Sequence, residues 1–480
     1  MQMIKFMDKV LSGFRSSFSR QATFKWFVVI VIGLMVRHDR LGVSSVIRSL
    51  FLFPCYEPMM NFFRASSWVL ETLEAKWCKI VAAHAPLARV NSRYVIIGDG
   101  VKELKEGKRM PGSKKHHQES DNSSKAEYIF GHHFGGVGVL AVANAVKDFC
   151  IPLALELQDG VKTIFGWDEQ PKRQDSHVVE MIKLAHRSAQ SIGNVYLVLD
   201  RLFLTVPALE TLALLNSEGS ANVQIITKAK KNCIARKEPR GKTGKPGRPE
   251  TLGEKVSVLE YFKSLAGSYQ EVDMVLYGKK EHVRYCFADF AWGKNLYQKL
   301  RFVYSEYGSN NSILVSTDIG LDPLDIIRLY SRRFTIESMF REMKQVLCAF
   351  GYRFWSKHMP KLNRFRKKTD PDPLEAIKDE NSRKRIQLAV KAIEGYVFCC
   401  SVAIGLLQII SIKFSGTNQL HKTRYMRTPT RNTLSEATVS DYLRQNIFVL
   451  LKRHADLGIM SIINEKQIDL DEQYDHLDAS

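Results

Sequence analysis

Two short runs of β-branched, aliphatic and aromatic residues each lead into an aspartate, and they constrain the fold more than any other feature of this chain. Asp99 follows Tyr-Val-Ile-Ile-Gly, and Asp200 follows Tyr-Leu-Val-Leu. Runs of this kind predict buried β-strands. Helical periodicity over 176–192 and 206–215 predicts helices between and after them. Strands and helices mixed in this way predict an α/β layer structure.

The two aspartates are candidate ligands of a metal ion. In α/β folds the carboxyl ends of the strands face the ligand crevice. Mg²⁺ prefers carboxylate oxygens, together with water and phosphate oxygens. The alternative for either residue taken alone is structural, since Asp99 or Asp200 could simply cap a strand or a turn.

The balance of charge indicates an anionic partner. The 480 residues include 70 Lys and Arg against 50 Asp and Glu, which gives a formal net charge of +20. A cationic surface binds a polyanion favourably because each neutralised phosphate releases a counterion. This favours nucleic acid, with an acidic membrane surface second. The eight cysteines form no CxxC pair, so they predict free thiols in a reducing compartment.

The first ninety residues have helical periodicity and include one strongly apolar segment. Residues 26–36 are eleven uncharged apolar residues, whereas a membrane-spanning helix needs about 20. We therefore predict a buried helix and no membrane partner. The helical region is compatible with a helix-turn-helix, and equally with a small helical bundle that contacts no DNA groove.

Residues 330–344 predict a helix with one strongly polar face. The polar residues recur at steps of three and four: Tyr330, Arg333, Glu337, Arg341 and Lys344. The opposing stripe is apolar and consists of Ile336, Met339, Phe340 and Met343. Residues at these steps share a helical face, so the polar face is free to meet an anion. The alternative is a solvated face with ion pairs such as Glu337 with Arg341.

The spacing of four of these residues resembles a known signature. Tyr, two residues, Arg, three residues, Glu, six residues and Lys is the YREK signature of bacterial insertion-sequence transposases of the IS-four type. The matching positions are Tyr330, Arg333, Glu337 and Lys344. The resemblance covers roughly residues 90–410. It implies a ribonuclease H-like fold with a catalytic, metal-binding DDE triad, which it assigns to Asp99, Asp200 and Glu337.

The resemblance also implies the cofactor, the partners and the location. The triad would hold two Mg²⁺ ions, for which Mn²⁺ can substitute, and would act by two-metal in-line phosphoryl transfer. The partners would be double-stranded DNA, as inverted-repeat element ends and as target DNA, and a second copy of the chain in a homodimeric synaptic complex. The location would be the bacterial cytoplasm, in association with the nucleoid.

Four residues on the polar face are candidate DNA contacts. We expect Arg333, Arg341 and Lys344 to hold phosphates near the cleaved one, and Tyr330 to orient the terminal strand. Glu342 is the rival carboxylate to Glu337, but it lies about 140° around the helix and off the basic face.

The fold class expected is α/β, with a ribonuclease H-like catalytic core interrupted by a β-rich insertion and with helical N-terminal and C-terminal regions. The expected parts are a DNA-end-binding region 1–90, a first core part 91–216, an insertion 217–322, a second core part 323–412 and a candidate dimerisation region 413–480.

The sequence leaves two alternative functions and several further candidate residues open. The chain could be a metal-dependent DNA nuclease without strand transfer, or a non-catalytic regulator derived from a transposase. Residues 245–249 are a candidate minor-groove segment or a basic loop, and 361–368 could contact the DNA backbone or be a solvated loop. Trp292 could stack on a flipped base or lie in the core. Neighbouring His132 and His133 would point to opposite faces of a strand, so they cannot form one metal site alone.

Overall fold

The computed structural model describes residues 2–39, 42–52, 55–118, 126–144, 147–239, 253–367, 369–415 and 433–467. The strands of these residues form one mixed sheet. They are β1 Arg89–Val90, β2 Arg93–Leu104, β3 Lys114–His117, β4 Tyr128–Val142, β5 Asp148–Leu157, β6 Val195–Val198, β7 Val223–Lys228, β8 Ile234–Arg236, β9 Lys255–Ser257, β10 Gln270–Leu276, β11 Lys279–Trp292, β12 Gln298–Tyr307 and β13 Asn310–Ser316.

Helices precede, cover and follow this sheet. They are α1 Gln2–Ser12, α2 Gln21–Val36, α3 Ser44–Leu50, α4 Tyr56–Phe62, α5 Leu70–His84, α6 Lys162–Phe165, α7 His177–Ile192, α8 Val206–Glu218, α9 Val258–Ser264, α10 Pro323–Ser331, α11 Thr335–Gln345, α12 Glu380–Phe414, α13 Glu436–Arg453 and α14 Gly458–Asn464. The prediction of an α/β fold is confirmed at this level, as a mixed α/β protein with a large mixed sheet.

Five strands at one side of the sheet lie in the order β5-β4-β2-β6-β7. Strand β4 runs antiparallel to both of its neighbours, whereas β2, β6 and β7 run parallel to one another. Helices cover both faces. A Cβ added to Gly98 would lie 3.1 Å from the sulfur of Met181 on α7, and one added to Gly136 would lie 3.1 Å from the Phe340 ring on α11. The absence of side chains at these glycines lets both helices pack closely.

The predicted insertion extends this sheet. Strand β13 pairs antiparallel with β7 and is followed by β12, β11, β8 and β9, while β10 pairs with β11. Strand β7 lies within the range predicted as insertion, 217–322, yet it pairs in parallel with β6. It therefore belongs to the five-strand part, and the added strands follow it. The candidate minor-groove segment 245–249 lies outside the described residues.

The N-terminal helices pack into the centre of the protein. Every residue from 26 to 36 is buried, as predicted for this apolar run, and α2 packs against α3, α12 and α13. Gly33 permits the contact with α3, because a Cβ there would lie 2.3 Å from Cγ1 of Val46. Most of α3 is also buried, which favours the helical bundle over a groove-reading helix-turn-helix. Binding of DNA ends by this region stays a prediction.

Helix α12 is the longest helix of the described residues and the one that passes a length and composition test for a membrane span. Its most apolar window of 18 residues is 83% buried inside the protein. Strand β5 and helices α2, α5 and α13 pack around it. It therefore packs as a core helix. The C-terminal helices α13 and α14 pack on α12, α1 and α2, while dimerisation through this region stays a prediction.

Candidate active site beside the central strands

The register of two parallel strands places Asp99 and Asp200 beside each other. Ile97 on β2 pairs with Val198 on β6, and each aspartate lies two residues further along its own strand direction. Asp200 continues in extended conformation beyond β6, and its carbonyl oxygen accepts a hydrogen bond of 2.8 Å from the Thr227 hydroxyl. Neighbouring parallel strands are about 4.8 Å apart, so the register alone makes the two acids neighbours.

Asp99 lies in the middle of a strand, which corrects the prediction that its strand ends there. Strand β2 continues to Leu104, because β4 supplies hydrogen-bonding partners along this whole stretch, from Gly136 opposite Asp99 to Gly131 opposite Leu104. The partner β6 ends before Asp200. The site therefore lies where β6 ends beside β2, and the polar residues after Asp99 belong to the sheet.

The predicted continuous helix over 330–344 is wrong, because two helices meet there. Helix α10 ends at Ser331, residues Arg332–Phe334 form a 3₁₀ turn, and α11 begins at Thr335. The hydroxyl of Ser331 donates to the carbonyl of Arg328, and that of Thr335 donates to the carbonyl of Arg332. Hydroxyl bonds of this kind to the preceding turn bend helices. Tyr330 therefore lies on α10, while Glu337 lies on α11.

Arg333 joins the acid on the sheet to the acid on the helix. Its Nη1 donates to Oδ2 of Asp99 at 3.0 Å, and its Nη2 donates to Oε1 of Glu337 at 2.9 Å. The second oxygen of Asp99 accepts from the backbone N–H of Gly100 at 2.7 Å. One guanidinium thus holds the carboxylates of residues 238 positions apart in the chain (99 and 337). This fork geometry suits two carboxylates at once.

The electrostatics of Asp99 reflect all three acids. Burial raises the pKa of Asp99 above its ordinary value, Arg333 and the Gly100 N–H oppose that change, and the nearby charges of Asp200 and Glu337 raise the pKa further. The same carboxylates raise the pKa of Arg333 against the effect of its burial. Asp200 and Glu337 therefore lie close enough for their charges to act on Asp99.

A cavity of about 320 Å³ opens beside Asp200. Its lining consists of Asp200, Arg201, Lys228, Tyr277, Tyr330, Arg333 and Phe334. Burial raises the pKa of the Tyr330 hydroxyl, so this group is a neutral hydrogen-bond donor at physiological pH. Burial also lowers the pKa of Lys228, although the charge of Asp200 acts against it. Because Arg333 is paired with Asp99 and Glu337, Arg201 and Lys228 are the cations that face Asp200 in this cavity, which makes it suited to an anionic group.

Arg341 and Lys344 lie apart from this cavity. The ammonium of Lys344 contacts the carboxylate of Glu103, four residues further along β2 than Asp99. Arg341 is exposed, and its Nε lies 3.3 Å from Oε1 of Glu342. Glu342, the rival carboxylate, is thus engaged with its neighbour and has no contact with the two aspartates. The structure brings together Asp99, Asp200, Glu337, Tyr330 and Arg333, and leaves the other two basic residues further along α11.

The oxygen-only donor set of the three acids fits a hard divalent cation such as Mg²⁺ or Mn²⁺. Their carboxylates are not all within 4.8 Å of one another; among the described residues, His116, His133 and Asp159 are the one group of acid, His or Cys side chains that meets this distance. Arg333 supplies the positive charge between Asp99 and Glu337 instead. No family model and no curated protein matches this chain. The assignment of the acids therefore depends on the residues and their geometry.

Sequence reasoning missed several residues that line the cavity. Arg201 directly follows Asp200, Lys228 ends β7, and Tyr277 lies in the turn between β10 and β11. Arg201 could have been found by its place next to a candidate ligand. Lys228 and Tyr277 come close only because β7 lies next to β6 and because the added strands fold back, so no local pattern indicates them.

The remaining candidate residues of the sequence analysis lie in different places in the structure. The ring of His132 is buried and lies 2.6 Å from the hydroxyl of Tyr352, whereas His133 lies 3.1 Å from Asp159. They point to opposite faces of β4, as predicted. Trp292 is half-buried and packs against the core. In the basic stretch 361–368, of which residue 368 is outside the described residues, the ring of Phe365 is 85% exposed.

Proposed function

We propose that this chain is a DNA transposase of the DDE type with a ribonuclease H-like core. It would bind inverted-repeat ends, cleave their phosphodiester bonds and transfer the 3′ ends to target DNA. The observation that carries the proposal is the Arg333 guanidinium, which belongs to the YREK-like motif and bonds both Asp99 and Glu337. Arg333 of the motif thus bonds Asp99, an acid that the strand pattern indicates separately from the motif.

The arrangement of the strands supports the core assignment. A ribonuclease H-like core is a five-stranded mixed sheet in which the second strand runs opposite to the other four. The order β5-β4-β2-β6-β7, with β4 antiparallel and the others parallel, agrees with that description. The first acid then lies on the first strand, the second acid follows the fourth strand, and the glutamate comes from a helix after the added strands.

The chemistry proposed needs divalent ions that Asp99, Asp200 and Glu337 would hold. Two such ions would activate the attacking water or hydroxyl and neutralise charge on the scissile phosphate. This chain's own part is to bind and orient the strand. Arg201 and Lys228 line the cavity beside Asp200 and would neutralise flanking phosphates, while the neutral Tyr330 hydroxyl would donate a hydrogen bond to one of them.

Arg333 has a second part in this proposal. As long as its guanidinium bonds Asp99 and Glu337, it compensates their charge and keeps them near each other. Its guanidinium has five donors, which suit a phosphate as well as a carboxylate, so Arg333 could contact the strand when Asp99 and Glu337 hold metal ions. A phosphate group on the strand would then become its natural partner.

A second surface supports double-stranded DNA as the partner. A groove of about 620 Å³ is lined by Lys114, Lys115, Arg366 and Lys367 together with the aromatic rings of Tyr128 and Phe365. Lysine and arginine side chains that line one groove suit contacts to the phosphates of a DNA backbone. With a net charge of +20, the protein would associate with the nucleoid. A homodimer on paired ends belongs to the same proposal.

An excision assay tests this function. A plasmid carries a marker between the native DNA segments that flank the gene, and it is incubated with the protein and Mg²⁺. We expect excision and joining of the marker. Glu337→Gln should abolish cleavage and keep DNA binding, because it removes one metal ligand without removing a cation. The matched control is Glu342→Gln on the same helix, which should cleave like the wild type.

The outcomes separate the alternatives. Cutting without joining would assign the chain as a nuclease, and binding without cutting would assign it as a regulator. Unimpaired cleavage by Glu337→Gln, or loss of cleavage in Glu342→Gln alone, would refute the assignment of the helical acid.

A further inference from the structure

A second group of metal-type ligands lies beside β3 and β4, away from the carboxylates discussed above. It consists of His116 on β3, His133 on β4 and Asp159 in the turn after β5. Nδ1 of His133 is 3.1 Å from Oδ2 of Asp159, and Nδ1 of His116 is 3.9 Å from the same oxygen. One candidate ligand atom from each of these residues lies within 4.8 Å of the others. Three elements distant in the chain thus converge on one point.

Burial makes this group different from an ordinary surface cluster. The side chains of His116 and His133 are 3% and 8% exposed, and that of Asp159 is 25% exposed. An imidazole that is shielded from water disfavours a positive charge of its own, and histidine binds metal ions in the neutral form.

The tautomer of His116 is set by its second nitrogen. Nε2 lies 3.2 Å from the carbonyl oxygen of Gly131 and can only be the donor in that bond. A neutral imidazole has one N–H, so Nδ1 carries a lone pair, and this lone pair faces the carboxylate of Asp159. A lone pair and a carboxylate oxygen 3.9 Å apart are two donor atoms that one cation between them could bind. A carbonyl bond behind the coordinating nitrogen is the usual support of a metal-bound histidine.

We propose that His116, His133 and Asp159 form a binding site for a transition-metal ion of the zinc class. Bonds of 2.0–2.2 Å to nitrogen and oxygen in a tetrahedral site put ligand atoms roughly 3.3 Å apart, and the 3.1 and 3.9 Å separations bracket that value. Imidazole ligands favour Zn²⁺ and its neighbours over Mg²⁺. Three protein ligands leave a fourth position for water.

Lys114 is the group that competes with this ion. Its Nζ lies 3.1 Å from Oδ1 of Asp159, the oxygen that is turned away from the two imidazoles. The lysine side chain is 46% exposed, so it can swing into solvent when an ion binds Oδ2. Its positive charge opposes a dication, and removing it should strengthen metal binding.

The site lies on the opposite face of β2 from Asp99. A Cβ added to Gly100 would lie 2.5 Å from Nε2 of His133, so the ring lies against the backbone of the residue that follows Asp99. Successive side chains on a strand point to opposite faces. A metal ion here would fasten the edge strand β3 and the turn after β5 to β4, next to the strand that holds Asp99. This inference does not depend on the proposed function.

Metal titration of the untagged full-length protein tests the site. Co²⁺ is added while visible absorption is recorded, and Zn²⁺ or excess Mg²⁺ then competes. We expect one Co²⁺ per chain with ligand-field bands, displaced by Zn²⁺ and retained in Mg²⁺. His116→Gln and Asp159→Asn should weaken binding by more than about tenfold, and Lys114→Met should strengthen it. His117→Gln is the matched control, since His117 is the adjacent, half-exposed histidine of the same strand.

One further variant and a test of folding keep the result clear. Asp200→Asn, which alters the other group of acids, should show the same ligand-field bands as the wild type when Co²⁺ is added in excess Mg²⁺, and circular dichroism verifies that each variant is folded. If the wild type binds no Co²⁺ of this kind, or if folded His116→Gln and Asp159→Asn bind it as tightly as His117→Gln does, the proposal is overturned.

Discussion

Removing Arg173 should destabilise the protein strongly, because this guanidinium neutralises two buried carboxylates. Its Nη2 lies 3.2 Å from Oε1 of Glu156, and its Nη1 contacts Glu394. The three side chains are only 10%, 4% and 5% exposed. Glu394 also accepts a hydrogen bond of 2.9 Å from the backbone N–H of Leu157, so the group ties α12 to β5.

The magnitude follows from the distances and the burial. At 3.2 Å and an effective dielectric constant of about 20, one ion pair has a Coulomb energy of ~5 kcal/mol. Arg187 also contacts Glu156, so Glu394 is the carboxylate that loses its cation in this variant. Removing one partner of a buried pair typically costs about 3–5 kcal/mol, because it leaves the other charge uncompensated. We therefore expect Arg173→Met to lower the free energy of unfolding by about 3–5 kcal/mol at pH 8. Urea denaturation monitored by fluorescence measures this loss.

The pH dependence gives a second measure of the same effect. Burial already raises the pKa of Glu394 above its ordinary value, and Arg173 opposes that change. Without Arg173 the pKa rises further, so the folded variant prefers the protonated acid more than the unfolded chain does. The loss of stability is therefore full at pH values above the raised pKa of Glu394. It becomes smaller as the pH falls toward the pKa that this acid has in the unfolded chain. The difference between variant and wild type should be smaller at pH 5.5 than at pH 8.

Lys237→Met is the control for this prediction. Lys237 pairs with Glu254 on the surface, where the side chains are 44% and 63% exposed, so its loss should cost at most ~1 kcal/mol. A loss for Arg173→Met as small as that of Lys237→Met, or one that does not depend on pH, would refute the reasoning.

Two further predictions concern packing and the candidate site. Gly33→Ala should destabilise the protein by about 1–3 kcal/mol, because the new Cβ would lie 2.3 Å from Val46, whereas Gly267→Ala, with no atom within 4 Å of its Cβ, should be nearly neutral in the same urea experiment. Arg333→Gln should shift the rise of Mg²⁺-dependent cleavage to higher pH, because the pKa of Asp99 increases without that cation and only the ionised acid binds metal. Arg332→Gln is the control, since it removes an ion pair with Asp148. Its cleavage rate should depend on pH in the same way as that of the wild type.

Local sequence patterns predicted the helix and the strand that are buried on all sides. The apolar run 26–36 is buried on all sides in α2, so its helix could be read from composition alone. The buried run before Asp200 was likewise found as β6. The secondary structure of each of these segments follows from the residues of the segment itself. Contacts with residues distant in the chain change it little.

Other features depend on contacts that no local pattern contains. Strand β2 extends through the polar residues after Asp99 because β4 pairs with them along their whole length. The break between α10 and α11 arises from two hydroxyl bonds to the preceding turn. Lys344 was predicted to hold phosphate, and it contacts Glu103 because the strand extension brings that acid to the helix.

In the candidate site, too, some features follow from local sequence and others depend on distant contacts. The identities of Asp99, Asp200 and Glu337 came from the sequence, whereas the position of Arg333 between two of them depends on how the turn at Arg332–Phe334 presents its side chain. The grouping of His116 with Asp159 likewise needs the pairing of β3 with β4 and the turn after β5.

A metal switch at Asp200 tests most directly the claim that these acids hold the ions for DNA cleavage. In Asp200→Cys a thiolate replaces the carboxylate, and a thiolate is a poor ligand for Mg²⁺ and a better one for softer divalent ions. The flanking-DNA plasmid is incubated with wild type or variant in Mg²⁺ and in Mn²⁺. We predict cleavage by the wild type in both metals and by the variant in Mn²⁺ alone. Equal cleavage by variant and wild type in Mg²⁺ would contradict the account.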